Sequence, residues 1–138
     1  MTALFLLGRT LLGGYFLYSG VNHFLNTGFM AQYAAGKGVP LPELAVLGTG
    51  VLLLIGGISI LLGMLPMVGI GAIAIFLIGV SPMMHDFWNI TDPQQRMSEM
   101  VNFTKNLALL GGTLMLVAIP EPWPAGVRAG RRTARVPA

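Results

Sequence analysis

The feature that most constrains the fold is the run from Leu44 to Met84, in which no charged residue occurs. A single helix of that length would extend about 60 Å, roughly twice the thickness of the hydrocarbon core of a bilayer. The run must therefore fold back on itself, and Gly63-Met-Leu-Pro66 contains the strongest turn signals near its middle. We predict two adjacent spans, Glu43 to Gly63 and Pro66 to Met84, joined by a tight turn.

The composition of the whole chain agrees with burial in lipid. Of its 138 residues, 54% are hydrophobic and only 9% are charged, whereas roughly a quarter of the residues of a soluble protein are charged. The soluble core of so short a chain could not hide this much apolar surface, so lipid must replace water around it. The chain contains no cysteine, which excludes disulfides, iron–sulfur ligation and covalent attachment of a c-type haem.

Two further segments are long enough to cross a bilayer, which takes about 20 apolar residues. They are Leu4 to Phe24 and Pro93 to about Ile119. After the first of them, Thr27 can cap a short helix that ends at Gly36 or Gly38 and lies at the membrane interface; a surface loop is the alternative. The predicted fold class is all-α: a polytopic membrane protein with a bundle of four transmembrane helices and a short interfacial helix.

The distribution of basic residues predicts how the chain is oriented. We divide it into a transmembrane domain, residues 1–119, and a basic, disordered cytoplasmic tail, residues 120–138. The tail holds four arginines, namely Arg128, Arg131, Arg132 and Arg135. Because basic residues near span ends favour the cytoplasmic side, we expect a multi-pass protein of the plasma (inner) membrane with both termini in the cytoplasm. No folded basic face accompanies the arginines, so contact with anionic lipid is predicted and nucleic-acid binding is not.

Two spans carry polar side chains along one face. On the first, Arg9, Phe16 and His23 recur every seven residues and lie within about 40° of each other around a helix. Since an arginine that faces lipid is costly, this face should point towards the other helices, unless Arg9 snorkels to the nearer head groups. The last span has a similar inward stripe with Lys105 on its flank, made of Glu99, Asn102, Asn106 and Thr113.

The up-and-down topology collects polar residues at one level of the membrane. Spans one and three end on the outer side, where spans two and four begin, so their polar ends should form a pocket at the outer mouth of the bundle. The residues that converge there are His23, Glu43, His85, Asp86, Glu99, Asn102, Lys105 and Asn106. Polar groups at membrane depth usually face a bundle interior or a cavity. The alternative is that they only satisfy one another and clamp the helix ends.

Several runs between Gly8 and Gly112 are similar to a known family. They are Gly8-Arg-Thr-Leu-Leu-Gly-Gly-Tyr-Phe-Leu-Tyr-Ser-Gly-Val-Asn-His-Phe, Gly38-Val-Pro-Leu-Pro-Glu-Leu, Leu-Leu-Leu-Ile-Gly-Gly in the second span, His85-Asp-Phe-Trp, and Asn102-Phe-Thr-Lys-Asn-Leu-Ala-Leu-Leu-Gly-Gly. In these runs the chain resembles the DoxX family of membrane proteins. The resemblance implies a small four-span inner-membrane protein associated with quinone-linked thiosulfate oxidation. Some relatives are similar to partners of sulfurtransferases and superoxide dismutase in redox-stress complexes.

The resemblance implies a redox-associated role, either as a quinone-interacting protein or as an accessory subunit of a membrane oxidoreductase complex. A quinone head group needs hydrogen-bond donors, a group that exchanges protons and an apolar cleft. We predict His85 and Asp86 as the catalytic proton couple. The residues predicted to bind the cofactor, a quinone, are His23, Glu43, Asn102, Lys105, Asn106 and Arg9.

Two other classes of function stay open. The protein could be a non-catalytic scaffold or a small-molecule transporter, with membrane lipid, an oxidoreductase, a stress-response protein or a second copy of itself as partner. Alternatively, His23 and His85 could ligate a b-type haem, and Met83, Met84 and His85 could hold copper(I). Because methionines are also ordinary packing residues and lone histidines are commonly satisfied polar groups, no metal site is assigned.

Overall fold

The computed structural model describes residues 2–127. Within this range the chain forms five α-helices, which are α1 (Thr2–Leu25), α2 (Thr27–Gly36), α3 (Pro42–Leu62), α4 (Pro66–Met84) and α5 (Pro93–Met115). Short 3₁₀ turns follow α4 at Phe87–Asn89 and α5 at Leu116–Ala118. The four predicted spans are long and apolar enough to cross a membrane, and α2 is the predicted short helix. The all-α fold class is confirmed.

Helix ends coincide with signals in the sequence. Asp92 caps α5, because its Oδ1 accepts a hydrogen bond of 2.8 Å from the backbone N–H of Gln95. The turn between α3 and α4 passes through Gly63 at a φ of 62°, a left-handed conformation that favours glycine. The hydroxyl of Ser59 lies 2.7 Å from the carbonyl oxygen of Met64 and donates to it, which holds the turn against α3.

Glycines let α1 and α3 pack backbone against backbone. A Cβ atom placed on Gly57 would lie 2.5 Å from the backbone nitrogen of Leu17, and one on Gly20 would lie 2.9 Å from the backbone nitrogen of Leu54. Small residues at a helix contact allow this close approach in lipid, where packing rather than exclusion of water holds helices together. The pair α1–α3 is therefore the tightest part of the bundle.

The spans form a row in which α1 packs on α3, α3 on α4 and α4 on α5, while α1 and α5 make at most marginal contact. We call the half of the bundle that contains the start of α1 and residues 116–127 the terminal half, and the half next to α2 the cap half. The terminal half holds most of the apolar core, which consists of Phe16, Leu53, Ile60, Ile70, Ile73, Leu77 and Trp123.

The packed structure extends beyond the predicted domain boundary at residue 119. Trp123 is only 2% exposed, and its ring meets the ring of Phe5 edge-on at 5.5 Å between centroids. The backbone N–H of Val127 donates to the carbonyl oxygen of Leu62 at 2.9 Å. Residues 120–127 therefore cover the end of the terminal half. The chain turns back after α5, which brings the indole of Trp123 against α1, where it is buried. Residues 128–138, with the four arginines, lie outside the described residues.

Candidate functional site

The cap half contains a cavity of about 630 Å³, and all five helices contribute to its wall. The wall is mostly apolar, with Leu52, Leu53, Phe76, Leu77 and Val80 among its members. Its size lies within the range of roughly 300–1,000 Å³ that is usual for small-molecule sites. The core of the terminal half closes the bundle at the other end of the cavity.

The cavity opens sideways rather than only at the end of the bundle. Three of its lining residues are exposed on the sides of their helices, Tyr15 of α1, Ile75 of α4 and Lys105 of α5. Ile75 lies about 13 Å along α4 from Met84, which marks the end of that helix. The opening therefore reaches the middle of the spans, between α1 and α5, at a depth where lipid tails surround the protein.

Asn106 supplies a polar group to this apolar wall. Its side chain is 7% exposed and lines the cavity, and its amide has no hydrogen-bond partner among residues 2–127. Among residues 2–127, Nε of Arg9 is the fully enclosed side-chain nitrogen or oxygen without a partner, so the amide of Asn106 reaches the open space of the cavity. It is therefore available to a ligand, to which it can both donate and accept.

His23 presents one free ring nitrogen to the cavity. Its Nδ1 lies 2.7 Å from the carbonyl oxygen of Ser19, and since a carbonyl only accepts, Nδ1 carries a hydrogen. The neutral ring then offers Nε2 as an acceptor, whereas the protonated ring offers it as a donor. The ring also packs edge-on against Phe76 with centroids 6.0 Å apart, which fixes its orientation.

His85 directly follows α4. Its side chain bonds to a residue of α5, and that residue also bonds to α2. Its Nδ1 lies 2.6 Å from Oε2 of Glu99, while Oε1 of Glu99 accepts a hydrogen bond of 2.7 Å from the hydroxyl of Tyr33. Glu99 is 8% exposed, so both of its oxygens are satisfied inside the bundle, as a buried carboxylate requires. His85 lines the cavity and Glu99 does not.

The environment of Tyr33 keeps its hydroxyl protonated. Partial burial, followed by the hydrogen bond to Glu99 and the negative charges of Glu99 and Asp86, raises the pKa of Tyr33 to about 12. The side chain is nevertheless 42% exposed. Tyr33 therefore joins the surface to Glu99 as a neutral hydrogen-bonding group.

A second polar contact holds α2 over the cavity. Nζ of Lys37 lies 2.6 Å from Oδ1 of Asp86, and the side-chain amide of Asn89 donates to Oδ2 of Asp86 at 3.1 Å. With the bond from Tyr33 to Glu99, this ion pair connects both the middle and the end of α2 to the far side of the bundle. Asp86 does not line the cavity.

The structure brings together half of the predicted site residues. Four of the eight line the cavity, namely His23, His85, Lys105 and Asn106. The other four do not, namely Arg9, Glu43, Asp86 and Asn102. Glu43 is exposed at the start of α3, and Asn102 accepts a hydrogen bond of 3.0 Å from Nζ of Lys105 beside the opening.

Arg9 faces inward, as the stripe on the first span predicts, but it lies in the terminal half. It is 7% exposed, and its Nη1 donates to the carbonyl oxygen of Pro124 at 2.9 Å. Arg9 and His23 share a face yet lie about 21 Å apart along a helix. Arg9 therefore binds residues 120–127 to the bundle and is not part of the cavity.

Two residues without a predicted role, Glu99 and Tyr33, connect His85 to the surface. Glu99 is among the residues predicted to converge at the outer mouth, and Tyr33 lies on the predicted interfacial helix. The pattern of each helix gives the inward direction of its side chains, but it does not give the position of α2 over the bundle. That position alone decides that Tyr33 meets Glu99 and Lys37 meets Asp86.

The histidines of the haem hypothesis line one cavity, His23 on α1 and His85 at the end of α4. Within residues 2–127, no group of three or more His, Cys, Asp or Glu side chains lies close enough to hold a metal ion. The rings of Phe87, Trp88 and Phe103 pack edge-on against one another, with centroids 5.2–5.7 Å apart, and lie outside the cavity wall.

Comparison with known proteins decides the family. The model of the DoxX family matches residues 4–86, which is more than half of the chain. The chain belongs to the DoxX family. No curated protein and no solved structure matches it. The matched segment of this DoxX protein covers α1 to α4 with His23 and His85, whereas Asn106 and Glu99 lie on α5, beyond it. With its four candidate spans, it is a multi-pass membrane protein.

Proposed function

We propose that this DoxX protein binds a quinone and its quinol in the cavity of the cap half, as the quinone-binding accessory subunit of a membrane oxidoreductase. The observation that carries the proposal is an apolar cavity whose wall includes Asn106, with a side-chain amide that has no hydrogen-bond partner among residues 2–127. Apolar pockets with a few fixed polar groups are the usual sites of small amphiphilic ligands.

The polar groups of the cavity suit the two oxygens of such a ring. The amide of Asn106 can donate to a quinone carbonyl or accept from a quinol hydroxyl. The free Nε2 atoms of His23 and His85 accept from quinol hydroxyls when neutral and donate to carbonyls when protonated. The apolar wall from Leu52 to Val80 would contact the ring and the beginning of its tail.

The sideways opening favours a ligand that arrives from the lipid. Because the opening reaches the middle of the spans at Ile75, a long apolar tail can remain in the bilayer while the head group lies near His85. A small-molecule transporter, the predicted alternative, has less support, since the core around Phe16 and Leu53 separates the cavity from the terminal half. A scaffold without a ligand also has less support, because it does not require an apolar cavity with an unpaired amide in its wall.

We further propose that the protein lies in the inner membrane with both termini in the cytoplasm, which would place the cap half on the outer side. The electrons of the quinone would then be exchanged with a partner oxidoreductase. The support for this orientation is the basic tail.

Binding of a decyl-substituted benzoquinone and its quinol to the detergent-solubilised protein tests the proposal. Equilibrium dialysis against empty micelles should show stoichiometric binding to the wild-type protein. Asn106→Leu should weaken binding about tenfold, because one hydrogen bond of about 1.4 kcal/mol is lost. Gln94→Leu, which changes an exposed amide of the same helix outside the cavity wall, is the matched control. Equal retention of quinone by empty micelles, or an equal effect of both substitutions, would refute the proposal.

A further inference from the structure

A chain of hydrogen bonds connects the cavity with the surface of the cap half. It starts at His85, which lines the cavity, continues through Glu99 at 2.6 Å, and ends at 2.7 Å at the hydroxyl of Tyr33, an exposed residue of α2 that also lines the cavity. The three residues come from the end of α4, from α5 and from α2. No part of the proposed function above requires Glu99 or Tyr33.

The second step of this chain leads from a buried residue to an exposed one. Glu99 is 8% exposed, whereas Tyr33 is 42% exposed. Because the carboxylate of Glu99 can only accept, Nδ1 of His85 carries a hydrogen, and the neutral ring directs an unprotonated Nε2 to the cavity. His85 is therefore a base whose ring is held in place by the carboxylate of Glu99. The negative charge of that carboxylate stabilises the ring once it has accepted a proton.

We infer that His85, Glu99 and Tyr33 form the path by which a proton passes between a quinol in the cavity and the aqueous surface beside α2. The inference rests on the proposed function and adds to it the residues that move the proton and the side from which it leaves. His85 would contact the ligand, Glu99 would act through His85, and Tyr33 would connect Glu99 to water.

The proton balance of quinol oxidation fits the groups present. Quinol gives quinone, two protons and two electrons, and the partner oxidoreductase takes the electrons. Nε2 of His85 accepts one proton, and the hydrogen on Nδ1 passes to Oε2 of Glu99 and from there to water beside Tyr33. Nε2 of His23 accepts the second proton and releases it to water when the quinone leaves the cavity. Exchange with water then returns the hydrogen of His85 to Nδ1.

The other charged groups near this path are engaged elsewhere. Asp86 is paired with Lys37, and the ammonium group of Lys105 is bonded to Asn102. Glu99 is therefore the carboxylate within hydrogen-bonding distance of His85 among residues 2–127. The proton partner of His85 in this proposal is Glu99, whereas the sequence predicts Asp86.

Single-turnover oxidation of bound decyl-quinol tests the path. The solubilised protein is used in excess, so that nearly all quinol is bound, and ferricyanide serves as the oxidant: one quinol and two ferricyanide ions give one quinone, two ferrocyanide ions and two protons. Stopped-flow absorbance follows the quinone in H₂O and in D₂O. Glu99→Gln should slow oxidation at least tenfold and Tyr33→Phe less, since proton transfer by a positioned group contributes about 10²–10⁴-fold.

Two controls separate this path from a merely structural role. Glu121→Gln removes an exposed carboxylate in the terminal half, and Tyr18→Phe removes an exposed hydroxyl outside the cavity wall; both should oxidise quinol as fast as the wild type. The solvent isotope effect should be larger in Glu99→Gln than in the wild type, while the dialysis constant for quinol is unchanged.

The outcomes distinguish the inference from the proposed function. Unchanged binding with unchanged oxidation in Glu99→Gln overturns the path and leaves quinol binding intact. Absence of binding to the wild-type protein overturns both. If Glu99→Gln fails to fold, Tyr33→Phe is the deciding variant, because removal of an exposed hydroxyl leaves no void in the packed structure. Oxidation of quinol by Tyr33→Phe as fast as by Tyr18→Phe then overturns the path.

Discussion

The terminal half and the cap half are built from the same four spans, yet one is filled and the other encloses a cavity. In the terminal half, Leu109 and Leu110 of α5, with Leu116 of the 3₁₀ turn after it, pack against the core around Phe16 and Trp123. In the cap half, the same face of α5 carries Glu99 and Asn106. Branched apolar side chains fill the space between helices, whereas polar ones stop at their partners. The residue types along this face of α5 therefore determine which half of the bundle is densely packed.

The polar groups of the two halves also differ in how they are satisfied. Two nitrogens of Arg9 in the terminal half are bonded to the carbonyl oxygens of Pro124 and Ala125, which holds the last described residues, while its buried Nε has no partner among residues 2–127. The amide of Asn106 in the cap half has no partner among residues 2–127 and faces the cavity. Bonds to the chain itself stabilise the fold, while an unpaired group in a cavity is available to a ligand. Stability and binding should therefore respond to substitutions in different halves.

The largest effect is expected from Gly57→Leu on the α1–α3 contact. A Cβ at Gly57 would lie 2.5 Å from the backbone nitrogen of Leu17 and 3.0 Å from the carbonyl oxygen of Gly13, so the two helices must separate. We expect the free energy of unfolding, measured by titration with a denaturing detergent, to fall by about 3 kcal/mol or more. Gly48→Leu on the same helix, where a Cβ would meet nothing within 4 Å, is the control. Equal stability of the two variants would contradict the close packing of α1 and α3.

A smaller effect is expected from Arg9→Met, which tests whether Arg9 belongs to the terminal half. Loss of the bonds to Pro124 and Ala125 should lower the free energy of unfolding by about 2 kcal/mol, as for hydrogen bonds from a charged group. Backbone amides of residues 120–127 should exchange hydrogen faster, and quinone binding should not change. Arg96→Met, an exposed site on α5, is the matched control. A loss of quinone binding in Arg9→Met would return Arg9 to the cavity, where the sequence places it.

These contrasts also show how much of the fold and of the site could be predicted from the sequence. The spans follow from length and hydropathy, and the inward faces follow from helical periodicity: Arg9 and Phe16 on α1 and Glu99, Asn106 and Thr113 on α5 are all buried. Helical periodicity, however, gives the direction in which a side chain points and does not show which half of the bundle the side chain lies in. Arg9 shares the face of His23 and still lies at the other end of the bundle.

The partners of the polar residues depend on tertiary contacts that no local pattern contains. Asp86 follows His85 directly and is predicted to be its proton partner, yet Glu99 on α5 occupies that place. The reason is that α4 ends at Met84, so the backbone turns and the side chain of Asp86 points towards Lys37, the residue that follows α2. Trp123, which follows the last span, is buried because the chain folds back onto Phe5.

The smallest effect concerns the proton of Tyr33, and it tests the contact between α2 and α5 in the cap half. The pKa of Tyr33 is raised from 10.0 to about 12, chiefly by burial and then by its bond to Glu99. A raised pKa means that the folded state favours the neutral phenol, so the stabilisation is complete below pH 10 and is lost as the pH rises through about 12. The difference in ultraviolet phenolate absorbance between the wild type and Tyr33→Phe isolates this titration from Tyr15 and Tyr18. Glu99→Gln should move the midpoint part of the way back, because the charge and the acceptor are removed while the burial remains. A midpoint near 10 in the wild-type protein would mean that Tyr33 faces water and that α2 does not close the cap half.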